Sequence, residues 1–289
     1  MTKCIAILAT MDTKGAECAY LREEVEKLGG QTLLIDIGVV GVTSIAVDIN
    51  KEEVASQGGR SMAELLENPS REVASEVMVK GSIALVKTLI TENKIHALIS
   101  LGGTQGTNNG CMIMQDLPYG FPKIMLSTMA SGDTSNFVGI KDITMMFSVS
   151  DILGLNPFSR CILSNTAGAA YGMAQASQQI EFSSGKTVIG ISNLGVLTSG
   201  TMKAIDLLNE RGYESIVFHA IGSGGRAMEQ LVESRMLNGG LDITTTEEAD
   251  EVVGGVFPAG RQRFKKLVES GVPAILSLGA LDMVNFGAR

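Results

Sequence analysis

Three loops rich in Gly, Ser and Thr hold the residues whose types and spacing could do chemistry. The first, "TMDTKG", brings Thr10, Asp12, Thr13 and Lys14; the second, "GGTQGTNNG", brings Gly102, Gly103, Thr104, Gly106 and Thr107; the third, "STMASGDTSN", brings Thr128, Ala130, Ser131, Gly132 and Asp133. Loops of this composition bare backbone N–H groups at a helix start, where unpaired donors and the helix dipole favour an anion such as phosphate. Lys14 would add a point charge, and Thr104, Thr107 or Ser131 would donate hydroxyls. Asp12 and Asp133 suit Mg²⁺ or a ribose hydroxyl. Further along, "GSGGR" supplies Gly222, Gly224, Gly225 and Arg226, with the same anion chemistry. Arg226 and Arg60, each just after paired glycines, could fork onto phosphate or carboxylate. His219 closes an apolar run and could serve as a general acid or base.

Each reading has a plainer rival. A glycine loop can simply be a turn needing positive φ, each arginine can form a surface salt bridge, and His219 can be a buried core histidine. No nucleophile stands at a readable spacing from a base, and the catalytic residues stay unassigned. The first turn is not G-x-G-x-x-G. "SSGKT" at 183–187 imitates the end of a P-loop, but Ile180 stands where that motif needs Gly, and a strand follows it.

The elements that must position these loops alternate. "CIAILA", "TLLIDIG", "HALISLGG" and "KIMLS" read as buried strands, separated by helical patterns such as "KGAECAYLREEVEKLG", which Gly29 or Gly30 ends. "TVIGIS", "SIVFHAIG" and "PAILSLGA" continue the alternation in the second half. This is an α/β chain with parallel sheets, whose ligands bind at the strand carboxyl ends. Residues 161–176, rich in Gly and Ala but broken by Asn165, Tyr171 and Gln175, read as a closely packed buried helix rather than a membrane span.

Length and composition agree with that class. A chain of 289 residues suits two domains. Aromatics are 4% and Trp is absent, so the core rests on aliphatics and 15 Met, while 34 Gly point to tight turns. A net charge of −8 argues against nucleic-acid binding by phosphate neutralisation. Cys4, Cys18, Cys111 and Cys161 match no metal or redox spacing and read as reduced thiols in a cytoplasmic protein.

The halves also resemble each other. The pattern Gly-Gly-Arg-x-Met-x-x-Leu occurs at Gly58–Leu65 and again at Gly224–Leu231; Gly15 pairs with Gly200, Gly38 with Gly222, and "ALISLGG" with "AILSLGA". An internal duplication is expected, with subdomains at 1–184 and 185–289 joined near "SSGKT". On this alignment the second subdomain is incomplete, lacking counterparts of "KIMLS" and "STMASGD".

Taken together, "ATMDTKGAE", "SLGGTQGT", "STMASGDTSN", "DITMMFSVSDILGLN" and "GSGGRAME" resemble the ATP-binding domain family of the tomato mosaic virus resistance protein and its bacterial relatives, an uncharacterised protein family. The resemblance runs from the first strand to the last residue. It implies two Rossmann-like subdomains, ATP binding and a homodimer; the antiviral role belongs to the plant member. Family domains run well past the equivalent of "ILSLGALDMVNFGAR". The expectation is a nucleotide-binding protein holding ATP, with Mg²⁺ as a candidate companion, and partnered with neither nucleic acid nor membrane. The alternative is an enzyme acting on a phosphorylated or carboxylated metabolite, with Asp12 or His219 as acid/base.

Overall fold

The computed structural model describes residues 2–67, 69–178, 180, 182 and 185–287. The chain divides into two compact units, Met1–Gln179 and Ile180–Arg289. Ser183 and Ser184, in the expected junction, lie outside the described residues.

The first unit runs β1 (Cys4–Ala9), α1 (Met11–Lys27), β2 (Gln31–Asp36), α2 (Lys51–Gln57), α3 (Met62–Glu67), α4 (Arg71–Thr91), β3 (Ala97–Gly102), α5 (Thr104–Gln115), β4 (Lys123–Ser127), α6 (Ser135–Val138), β5 (Thr144–Phe147) and α7 (Pro157–Ala176). Its sheet has the order β2-β1-β3-β4-β5, all parallel. The largely apolar runs of β1, β3 and β4 are buried on both faces, as a parallel sheet between helices requires. Alternate strand residues feed two cores: Ala6, Leu8, Leu98 and Met125 pack with α2, α4 and α5, while Ile5, Ile7, Ile99 and Leu126 pack with α1 and α7.

Local sequence sets the boundaries. Gly29, at φ 87°, ends α1. Asn156 and Ser159 form a capping box at the start of α7, with Pro157 in its first turn. Ala167, Ala170 and Ala174 let α7 lie close on the sheet, so the stretch 161–176 is indeed a packed helix.

The second unit runs β6 (Val188–Asn193), α8 (Thr198–Glu210), β7 (Glu214–His219), α9 (Ser223–Glu233), β8 (Gly239–Asp242), α10 (Thr246–Val253), α11 (Lys265–Glu269) and β9 (Ala274–Leu276). Its parallel sheet has the order β7-β6-β8-β9.

Two expectations about the repeat need correcting. "AILSLGA" does not take the place of "ALISLGG": β9 lies where β4 lies in the first sheet, and β8 holds the place of β3. The "KIMLS" strand therefore has a positional counterpart. The paired Gly-Gly-Arg segments also differ in context. Gly58 caps α2 beneath α4, where a Cβ would fall 2.1 Å from the Val77 carbonyl oxygen, whereas Gly224 and Gly225 lie inside the first turn of α9. The shared strand order belongs to doubly wound sheets in general and does not establish a duplication.

Candidate functional site

The carboxyl edge of β2, β1 and β3 is built around one carboxylate. Asp36, last in β2 and buried, accepts hydrogen bonds through Oδ1 from the Met11 N–H at 3.0 Å and the Gly38 N–H at 2.8 Å. It ties the start of α1 to the turn after β2. That turn is held from the other side by Lys51, whose ammonium donates to the carbonyls of Val39 and Gly41. Gly41 is needed because a Cβ there would lie 2.0 Å from Asp12 Oδ2.

β3 passes into α5 just as tightly. A Cβ on Gly102 would meet Gly106 Cα at 2.9 Å. Gly102, Gly103 and Gly106 all avoid positive φ; close approach explains Gly102 and Gly106, where a Cβ would lie 3.3 Å from the Leu101 carbonyl oxygen, whereas a Cβ on Gly103 would meet only Thr128 Oγ1, at an ordinary 3.9 Å. Gly103 is the N-cap of α5, no side chain caps that helix, and its first turn holds no acidic residue. Its leading N–H groups keep their attraction for an anion. Nearby, Ser70 caps α4 by accepting from the Val73 N–H, and Arg71 is the first residue of that helix.

Between these elements lies a cavity of about 580 Å³. Its apolar wall includes Ile37, Val39, Leu65, Ala74 and Met78. Its polar side includes Thr10, Asp12, Thr13, Arg71, Gln105 and Asn109, with Ser75, Ser100 and the backbone of Gly106 also lining it. A larger open groove along α4 and α5 shares Arg71, Ser75, Gln105 and Asn109 with it and reaches Thr104. The cavity thus combines a cation and an uncapped helix start with an apolar surface, and Asp12 supplies a carboxylate at its edge.

Of the residues singled out in the sequence, Thr10, Asp12, Thr13 and Gly106 line this cavity, and Gly102 and Gly103 shape its turn. Others are engaged elsewhere. The Lys14 ammonium, expected to charge the first loop, donates to the Ile152 carbonyl. Thr107 is fully buried, with its hydroxyl 2.6 Å from Ser127 Oγ, and so belongs to the packing of α5 on the sheet. Thr104 Oγ1 faces Met129 Sδ at 3.5 Å. Thr128, Ala130, Ser131, Gly132 and Asp133 form the turn after β4. There Asp133 accepts from the Ser135 N–H at 2.9 Å, and that backbone hydrogen bond holds its carboxyl below the usual range.

In the second unit, the helix start offered by "GSGGR" already has an anion. Glu247 Oε1 accepts from the N–H groups of Gly222 at 2.6 Å and Gly225 at 3.1 Å, while Arg226 Nε donates to the Gly222 carbonyl. Glu247 in turn receives Arg263 Nε at 3.0 Å, and Arg263 also bridges to Glu229 and Asp242, all buried. A Cβ on Gly224 would lie 1.8 Å from the His219 carbonyl oxygen, which accounts for that glycine. His219 itself is exposed at the end of β7, which overturns the reading of a buried core histidine. Arg60 is exposed in the turn after α2.

All four cysteines are free, and burial pushes the Cys111 thiol up to about 12. Among the described residues no group of three or more His, Cys, Asp or Glu could hold a metal ion, and no helix is long and apolar enough to cross a membrane.

Sequence reading missed Asp36, Arg71, Ser75, Ser100, Gln105 and Asn109. Two left a signal: Asp36 and Ser100 are single polar residues inside the apolar runs "TLLIDIG" and "ALISL".

Comparison with known proteins adds the following. The N-terminal domain of Uncharacterised protein family UPF0261 matches residues 3–179, and its C-terminal domain matches residues 186–289. A UPF0261 protein of Clostridium tetani is 49% identical over 287 residues, covering 99% of this chain and 71% of that protein. The ToMV resistance protein Tm-1(GCR237) of Solanum lycopersicum is 38% identical over 307 residues, covering 98% of this chain and 40% of that protein. Among solved structures, Acinetobacter baumannii MurG is similar at a TM-score of 0.34 and 11% identity, covering 98% of this chain and 87% of that one; so slight a likeness carries no argument.

Proposed function

Because this chain belongs to the uncharacterised protein family UPF0261 along its whole matched length, and because its first unit holds the cavity described above, we propose that it binds a nucleotide, ATP, at the carboxyl edge of β1, β2 and β3. The observation that carries the reading is one cavity joining an uncapped helix start to an apolar wall. The phosphates lie at the start of α5, where Gln105 and Gly106 present backbone N–H groups and Arg71 adds a charged fork. The start of α1 is less suited, since Asp36 already accepts from Met11 and Asp12 adds negative charge in its first turn. The nucleoside packs against Leu65, Ala74 and Met78. Asp12, at the edge, faces Mg²⁺ carried in on the phosphates or a ribose hydroxyl; Mg²⁺ needs one or two carboxylates when phosphates and water complete its shell.

The same proposal includes the homodimer implied by the family resemblance, checked by sedimentation velocity, and a cytoplasmic setting that keeps the four thiols reduced. A second reading is favoured by Asp12 alone: a carboxylate bordering an anion site can act as acid or base on a phosphorylated or carboxylated metabolite.

The test is the thermal midpoint with ATP, GTP, NAD, AMP and phosphate, each with and without Mg²⁺. A ligand at ~100 times its Kd stabilises by about 2.7 kcal/mol, or a few degrees for a protein of this size. No shift with any nucleotide overturns the nucleotide reading and leaves the metabolite enzyme in front.

A further inference from the structure

We infer that Ser100 and Asn109 form the floor of the cavity and read an uncharged acceptor atom on the base, such as a ring nitrogen; this rests on the nucleotide reading above. Ser100 is 1% exposed, lines the cavity, and its Oγ has no hydrogen-bond partner among the described residues. Buried hydroxyls in native folds are nearly always paired. Another buried serine of the same sheet obeys that rule: Ser127 Oγ meets Thr107 Oγ1 at 2.6 Å and the Met129 N–H at 2.9 Å. Ser100 is therefore the exception that needs a reason.

The surroundings supply one. Asn109 is 8% exposed, and its Oδ1 accepts from Ser75 Oγ at 2.7 Å. Its amide nitrogen, with no hydrogen-bond acceptor among the described residues, is a second donor on a residue that lines the same cavity as Ser100. α5 passes here without a side chain, because a Cβ on Gly110 would lie 2.5 Å from Ser100 Oγ. Gln105 and Asn109, four apart, share one helix face, and the rise of the helix sets Asn109 about 6 Å further along α5 than Gln105. A donor as buried as the Ser100 hydroxyl, in a cavity also lined by Met78 and Leu101, suits a neutral acceptor, since a charge there would lose its hydration. The arrangement fits a molecule with its anion at the α5 start and an acceptor-bearing ring at the far end.

The experiment is calorimetric titration of the full chain and of Ser100→Ala with ATP and with adenosine, together with the melting temperature of each protein without ligand. The expected result is a loss of about three- to tenfold in affinity, by the same factor for both ligands, with an unliganded melting temperature at or above the parent's because the unpaired hydroxyl is gone. Equal ATP affinity in parent and variant overturns the floor while leaving the nucleotide reading intact. So does a variant that melts below the parent, which makes Ser100 structural, or one that weakens ATP but not adenosine. A parent chain that binds neither ligand overturns the nucleotide reading and this inference with it.

Discussion

Arg263 Nε lies 3.0 Å from Glu247 Oε2 in the buried interior of the second unit, and the same guanidinium also meets Glu229 and Asp242. One cation thus serves three carboxylates. Removing it leaves three buried acids without a counter-charge, and breaking a buried pair by deleting one partner costs about 3–5 kcal/mol. Arg263→Leu should lower the urea midpoint of the second unit's transition accordingly. A midpoint within experimental error of the parent's would show that the carboxylates are neutralised another way.

The glycines of α4 and α7 separate two kinds of constraint. A Cβ on Gly81 would fall 1.9 Å from the Val54 carbonyl oxygen, so Gly81→Ala should push α2 off α4 and cost about 1–3 kcal/mol. Gly172 in α7 meets nothing within 4 Å, so Gly172→Ala should stabilise by about 0.5–1 kcal/mol through the helix backbone alone. Denaturant unfolding of the two variants decides; the same sign for both would refute the packing account.

In the proposed nucleotide site, Arg71 and the α5 start hold the phosphates. Arg71→Met should weaken ATP binding about tenfold or more, the scale of a charge-assisted hydrogen bond, and leave adenosine unaffected. Titration at two salt concentrations checks it, since the loss should shrink as salt rises. Equal losses for ATP and adenosine would move the phosphates elsewhere.

Thiol chemistry should be ordered by exposure. Cys161 is exposed, Cys18 and Cys111 are buried, and burial pushes Cys111 up to about 12, so it holds almost no thiolate at pH 8. Iodoacetamide on the folded protein should label Cys161 first and reach Cys18 and Cys111 only after denaturation. Peptide mass spectrometry reads the order, and early labelling of Cys111 would contradict the packing of α5.

The fold class was legible because strands and helices of the chain are written in different periods. β1, β3 and β4 are short, largely apolar runs and α1 is bounded by Gly29. What escaped was short or weakly apolar. β8 is only "GGLD", with no hydrophobic run to announce it, and its omission shifted the alignment of the halves by one strand. α2 and α3, of 7 and 6 residues, are too short to announce a helical period. At the site, loop composition found Thr10, Asp12, Thr13 and Gly106, because the strand ends bring those loops together. It could not find Arg71, which reaches the cavity from the start of α4, passed over Asn109 inside "GGTQGTNNG", and could not foresee that Lys14 would turn to Ile152. Side-chain direction depends on packing that spacing does not encode.

The carboxylate of Glu247 at the start of α9 has a meaning for selectivity. A phosphate arriving from solution would have to compete with an acid tethered to the same chain, whose local concentration does not fall when the solution is diluted. The start of α5 has no such resident competitor. The two helix starts therefore differ as receptors: one is left open to a free anion, and the other is occupied by its own protein before any ligand arrives.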